Sequence, residues 1–339
     1  MSAVSAVNAV SLAIQRTRDF LFRPFSWGTF LKLGLVAIIT EGLGSSFNSS
    51  SRRGSAPGHG PTVHSPFNLT PDKVAMIVAA VALALVLSIW LFYLITRLRF
   101  AYFHCLIHNT KEIRPGWGLY RTQAMRFFGL NLLVGFFFML VAALVAIPFV
   151  AGFWRLFHSI PPGGHVDFGL LLALVLPLIP IIIVLALTGL LADLVLRDWM
   201  LPHYALDDAT AGEAWAEVWA HIMAEKKQFF VYALLRVVLP MAAMAVVFMV
   251  LLIPGLILAG AFAAFGYGIH SAFAGATGGS AVAGILLQAF FGLVAFALLL
   301  LAGICLGGPV STGIREYALV FYGGRYQELA NALYPPASA

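Results

Sequence analysis

Between Arg236 and Arg315 the chain runs for 78 residues without one Asp, Glu, Lys or Arg. A helix crosses the hydrocarbon of a bilayer with about 20 predominantly apolar residues. A charge-free stretch of this length therefore points to a membrane before any motif is considered. Three more uncharged, mostly apolar runs cover residues 74–96, 127–154 and 168–192. The 339-residue chain is 61% hydrophobic and only 10% charged, well outside the composition of soluble globular proteins. The expected fold is all-α, a polytopic transmembrane helical bundle.

Six crossings are expected, at residues 30–44, 74–96, 127–150, 168–191, 229–253 and 284–307. The first is short and contains Glu41. With the N-terminus inside, fifteen of the twenty Lys and Arg residues fall in cytoplasmic sections and four outside, while Arg236 lies within a span. That bias puts both termini in the cytoplasm. Residues 254–273, "PGLILAGAFAAFGYGIHSAF", carry five Gly or Pro residues and read as an irregular or re-entrant element.

Three regions follow. Residues 1–26 form an N-terminal amphipathic interfacial helix with Val4, Val7, Val10 and Ile14 on its apolar face. Residues 27–307 form the transmembrane domain, with a flexible Gly, Ser and Pro-rich outside loop at 45–73 and cytoplasmic elbows at 97–126 and 193–228. Residues 308–339 form a cytoplasmic C-terminal tail.

The elbows belong to a repeat. "RLRFAYF…PGWGLY…RFFGLNLL…AIP" runs parallel to "DLVLRDW…AGEAWAEVW…KKQFFVYALL…LIP", so residues 97–148 and 193–254 read as helix, elbow, helix in the same direction. The first elbow holds six of the twenty basic residues. Trp117 and Tyr120 share one helical face there with Ala124 and Phe127, and Trp215 and Trp219 share another in the second elbow with Val218 and Ile222. Trp and Tyr favour the headgroup level, and basic residues meet lipid phosphates. Arg97, Arg99, Arg114, Trp117, Tyr120, Arg121, Arg126, Trp215, Trp219, Lys226 and Lys227 are thus expected to contact lipid at the interface. Membrane lipids are the expected partners, with a protein partner or a second copy of the chain beside them. The net charge of +6 is placed by topology and implies no nucleic acid.

Ionisable groups within spans are costly and are usually paired or line a polar cavity. Glu41, Asp193 and Arg236 are the candidates, and an Asp193 to Arg236 ion pair is expected. A polar cavity between the hairpins would be lined by Glu41, Asp193, Asn131 or Arg236. His104 and His108, four residues apart, share a helical face at chelating spacing, as do Glu217, His221 and Glu225, but neither set forms a recognised metal motif. No GxxxxGK[ST], GxSxG or HExxH sequence occurs. Cys105 and Cys305 form no CxxC pair. No enzyme and no cofactor is expected. The role expected is a lipid-associated scaffold or partner subunit, with a small transporter or lipid-handling protein as the alternative.

The segments "FLFRPFSWGTFLKLGL", "TRLRFAYFHCLI", "RPGWGLYRTQAMRFF" and "EAWAEVWAHIMAEKKQFFVYALLRVVL" together resemble an uncharacterised family of polytopic prokaryotic membrane proteins. That family is distantly similar to the membrane domain of some glycerophosphodiester phosphodiesterases. The resemblance implies a multi-pass protein. It carries no catalytic residue, and no soluble phosphodiesterase domain accompanies it.

Overall fold

The computed structural model describes residues 4–46, 71–158, 168–273 and 279–335. Most of the loop expected at 45–73 lies outside the described residues. The described elements are helical, with no strand among the described residues: α1 (Ala6–Phe22), α2 (Trp27–Ser46), α3 (Pro71–Ile107), α4 (Ile113–Leu119), α5 (Arg121–His158), α6 (Phe168–Val175), α7 (Leu178–Leu194), a π-helical turn (Val195–Met200), α8 (Leu201–Leu206), α9 (Ala211–Ala224), α10 (Lys226–Ala272), α11 (Gly279–Gly323) and α12 (Gln327–Leu333).

Burial divides each long helix into two parts. At one end of the bundle the last turns of α3 and α11 and the first turns of α5 and α10 pack with α1, α8, α9, α12 and the π-helical turn around a single core. Tyr102, Phe103, Trp199, Tyr232, Tyr317, Phe321 and Tyr322 are all buried there. Tyr232 stacks between Tyr317 and Phe321, with ring centroids 5.0 and 4.3 Å away. Away from this head the same helices present Leu, Val, Ile, Phe and Met on every side, as at Val86, Phe137, Ile183, Met249 and Leu299. Five helices, Val74–Ile107, Arg121–Leu156, Leu171–Leu206, Lys226–Ala272 and Val282–Gly323, are long and apolar enough to cross a membrane, and their most apolar windows contain no buried residue. Apolar surface this extensive is stable against lipid and not against water. The chain is a multi-pass membrane protein.

The helices differ from the sequence reading in three places. Residues 254–273 are neither re-entrant nor irregular: α10 continues through Pro240 and Pro254 as one 47-residue helix. With no water to satisfy freed backbone groups, a helix is the state that pairs them, and it persists through Pro and Gly. Of the tail expected at 308–339, the described residues 308–335 are packed instead, because α11 carries on to Gly323 and its final turns, with α12, join the core.

The third difference concerns α1, which Ser5 caps by accepting from the Asn8 amide. It buries Ala6, Ala9, Ala13 and Thr17 in the head and leaves Val7 and Ile14 exposed at 64% and 63%. Small side chains let it lie close along α10 and α11, which explains why the narrower Ala face is the packed one.

α2 is shorter and is not among the five apolar helices. It packs on α11, where Gly34 and Gly308 meet so closely that a Cβ on Gly308 would lie 2.7 Å from the Gly34 Cα. That approach carries Glu41 towards the helix ends contributed by α7, α10 and α11.

Candidate functional site

A cluster of buried charge lies where these helix ends meet. α2 contributes Glu41, the π-helical turn Arg197 and Asp198, α7 Asp193, α10 Arg236, and α11 Arg315. The π-helical turn is what allows two sequence neighbours of opposite charge to point inward together: five consecutive residues, Leu196 to Met200, are buried.

Arg236 donates from Nε to Asp198 Oδ2 (2.7 Å) and from Nη2 to Glu41 Oε2 (2.9 Å). Arg197 Nη2 donates to the same Glu41 oxygen at 2.6 Å and Nη1 to Asp193 Oδ2 at 3.0 Å. Asp198 also accepts from Tyr232 (2.8 Å) and from Arg315 Nη1 (3.2 Å). Arg99, with no carboxylate of its own, donates from Nε to the Thr40 carbonyl (3.1 Å). Four guanidinium groups thus stand with three carboxylates. Arg197 Nε and Arg315 Nη2 are buried without a hydrogen-bond partner among the described residues.

A cavity of about 360 Å³ adjoins the cluster. Glu41, Asp193, Arg197, Asp198 and Arg236 form its polar wall, and Pro240, Met244, Val310 and Ile314 part of its apolar one. A second hollow of about 400 Å³, almost wholly apolar, lies between α1 and α10–α11 and shares Val310 and Ile314 with the first. Buried ions must be paired and hydrogen-bonded to be tolerated, and a surplus guanidinium facing an open cavity can donate to an anionic oxygen.

Glu41 and Arg236, singled out in the sequence, are therefore in contact. The expected Asp193 to Arg236 pair is not: Asp193 is bonded to Arg197 one turn along its own helix, and Arg236 is taken by Asp198 and Glu41. The i,i+4 spacing gives Asp193 a nearer cation than α10 provides. Asn131 is absent from the cavity wall, and its amide donates to the Phe127 carbonyl (2.7 Å). Arg197, Asp198 and Arg315 were not picked out from the sequence. "DLVLRDW" held the signal, since two charges beside an apolar span are costly unless they pair.

The elbow residues divide. Tyr120 and Arg99 are 5% exposed and belong to the core, so direct lipid contact is excluded for both. Arg97 lies 4.5 Å over the Trp117 ring and donates to the Trp117 carbonyl, fastening α4 to α3. Arg126 is bound to Asp208 at 2.9 Å. Arg114, Arg121, Lys226 and Lys227 are exposed, as are Trp215 and Trp219, which stack on each other with centroids 5.7 Å apart. His104 and His108 do face one another, centroids 4.4 Å apart, but among the described residues no third His, Cys, Asp or Glu completes a ligand set with them. Glu225 is engaged by Arg325 at 2.6 Å. Cys105 and Cys305 are both free thiols.

The chain belongs to a family described as a family of unknown function (DUF7544), whose sequence model matches residues 4–332. No curated protein and no solved structure matches it, and no link to glycerophosphodiester phosphodiesterases emerges.

Proposed function

Taking membership of a family without an assigned activity as the premise, we propose that this is a non-enzymatic, lipid-handling protein of a prokaryotic cytoplasmic membrane. The cavity beside Glu41 and Arg236 would hold the zwitterionic headgroup of a phospholipid, and the adjoining apolar hollow an acyl chain. In this reading α2 is a sixth crossing, both termini are cytoplasmic, and the two helix–elbow–helix repeats lie side by side. One observation carries it: a mixed-charge cavity and an apolar hollow share the wall formed by Val310 and Ile314. Arg197, with an unpartnered Nε, suits the phosphate. Asp193, the most accessible carboxylate of the cluster at 39% exposure, suits the ammonium group.

A scaffold reading rests on a different feature, the exposed Trp215–Trp219 stack beside Lys226 and Lys227, which a protein partner could cover.

Native mass spectrometry of the chain released gently with its lipids separates the two. We expect one phospholipid per chain, lost on Met244→Trp, which fills the cavity mouth, and reduced on Asp193→Asn. A lipid-free chain, or an adduct that survives Met244→Trp, overturns the lipid reading. A lipid-free complex with another protein supports the scaffold.

A further inference from the structure

A second cluster lies in the head, apart from the charged cavity and independent of the lipid reading. His203, on α8, is fully buried. Its Nδ1 stands 3.3 Å from Asp207 Oδ2, one turn along the same segment, and 3.0 Å from Glu217 Oε2 on α9. These three ligand atoms all lie within 4.8 Å of one another.

A tetrahedral zinc ion with bonds of about 2.0–2.2 Å to nitrogen and oxygen needs ligand atoms roughly 3.3–3.5 Å apart, close to the two separations from His203 Nδ1. The groups behind the three ligands are those a metal site requires. Tyr322 OH lies 2.7 Å from His203 Nε2, fixing the ring and leaving Nδ1 towards the carboxylates. Tyr326 OH donates to Asp207 Oδ2. Both tyrosines come from the α11–α12 corner, whereas the ligands come from α8 and α9.

Charge balance argues in the same direction. Two carboxylate oxygens converge on a single imidazole nitrogen, which offers at most one proton between them. The arrangement lacks positive charge unless the ring is protonated or a cation stands among the three groups. Asp207 and Glu217 remain open to solvent, at 33% and 56% exposure, so an ion has a path in and room for water as a further ligand. His221, one turn beyond Glu217 on α9, packs edge-on to Tyr322 with centroids 6.0 Å apart and brings another imidazole to the same corner.

We propose that His203, Asp207 and Glu217 form a zinc-class divalent metal site that clamps α8 to α9 within the second elbow, with Tyr322 and Tyr326 of the α11–α12 corner orienting two of the ligands. One nitrogen and two carboxylate oxygens suit a borderline d-block cation better than magnesium or calcium, which prefer all-oxygen shells.

The test uses the full chain in detergent, free of any affinity tag and stripped with chelator, then titrated with Zn²⁺ alone. One equivalent is expected to bind and to raise the unfolding temperature. Glu217→Gln, at an exposed position that leaves circular dichroism unchanged, should abolish both effects. Tyr322→Phe should weaken binding about 10- to 100-fold, as loss of a group orienting a metal ligand does. Cobalt should give the intense visible absorption of a tetrahedral N/O site in the wild type and not in Glu217→Gln. His104→Gln with His108→Gln should leave everything unchanged. Less than a tenth of an equivalent bound, or binding that survives Glu217→Gln and disappears with the His104 and His108 changes, would overturn the proposal.

Discussion

Three elements meet on the Asp198 carboxylate, which accepts from three side chains. Tyr232 and Arg236 reach it from α10 and Arg315 from α11, while its own backbone belongs to the π-helical turn. Removing it leaves two buried guanidinium groups short of a counter-charge, which typically costs about 3–5 kcal/mol. Asp198→Ala should therefore lower stability by about that amount in an equilibrium unfolding measurement in mixed micelles. Asp193→Asn, at a half-exposed carboxylate, should cost under about 1 kcal/mol. Equal effects would mean that the cluster is not organised around Asp198. Glu41 and Arg236 could be found in the sequence because each interrupts an apolar run. For Asp198 the sequence signalled a need to pair but not its inward direction, because a regular helix turns neighbouring positions 197 and 198 to different directions and only the π-helical geometry buries both.

Among the elements, α9 is the one whose start is written most plainly in the sequence. Thr210 accepts from the Glu213 amide, and Glu213 Oε2 accepts from the Thr210 amide and hydroxyl, each at 2.8 Å. Hydrogen bonds to the charged carboxylate, from the Thr210 backbone first and its side chain second, hold the Glu213 pKa below the usual range. A depressed folded-state value means that this stabilisation is fully present above the unfolded carboxylate pKa and is lost as pH falls through the folded one. Amide exchange in the first turn of α9 should accelerate on acidification across that window, relative to the rate expected for unprotected amides. Glu213→Gln should weaken this pH dependence, and an unchanged profile in the variant would contradict the assignment. α10 shows where element-level reading fails. Its Gly and Pro residues are breakers in water, whereas in hydrocarbon the alternative to helix is an unsatisfied backbone, and the preference reverses.

At the scale of the molecule, membrane residence and the all-helical class follow from composition, but the division into an exposed apolar part and a packed head does not. Apolar runs look alike whether they meet lipid or one another, so the role of α1, α12 and the end of α11 as core had no signature in hydropathy. Charge placement carries the orientation. Val4 accepts from Arg325, the Ala6 amide donates to Gln228, and the exposed Lys226 and Lys227 lie beside Gln228, so N-terminus, C-terminal corner and second elbow share one side. With Cys105 and Cys305 changed to Ser, a Lys227→Cys chain should react with an impermeant maleimide in inside-out vesicles and not in intact cells. The reverse pattern would invert the proposed topology.

α10 and α11 contain 47 and 45 residues, a rise of about 70 Å against a hydrocarbon thickness of about 30 Å. Each is therefore a single rod with one portion in lipid and the other in the head, and the charged cluster sits on the shared shaft. Pro240 and Pro309, each of which leaves one helical hydrogen bond unmade, lie four and six residues from Arg236 and Arg315 and are the points on these shafts where bending would concentrate. A tilt imposed on the spans by a thinner bilayer would therefore reach Arg236 and Arg315 through these two prolines, and how stiff they are would decide how much of it the cluster feels.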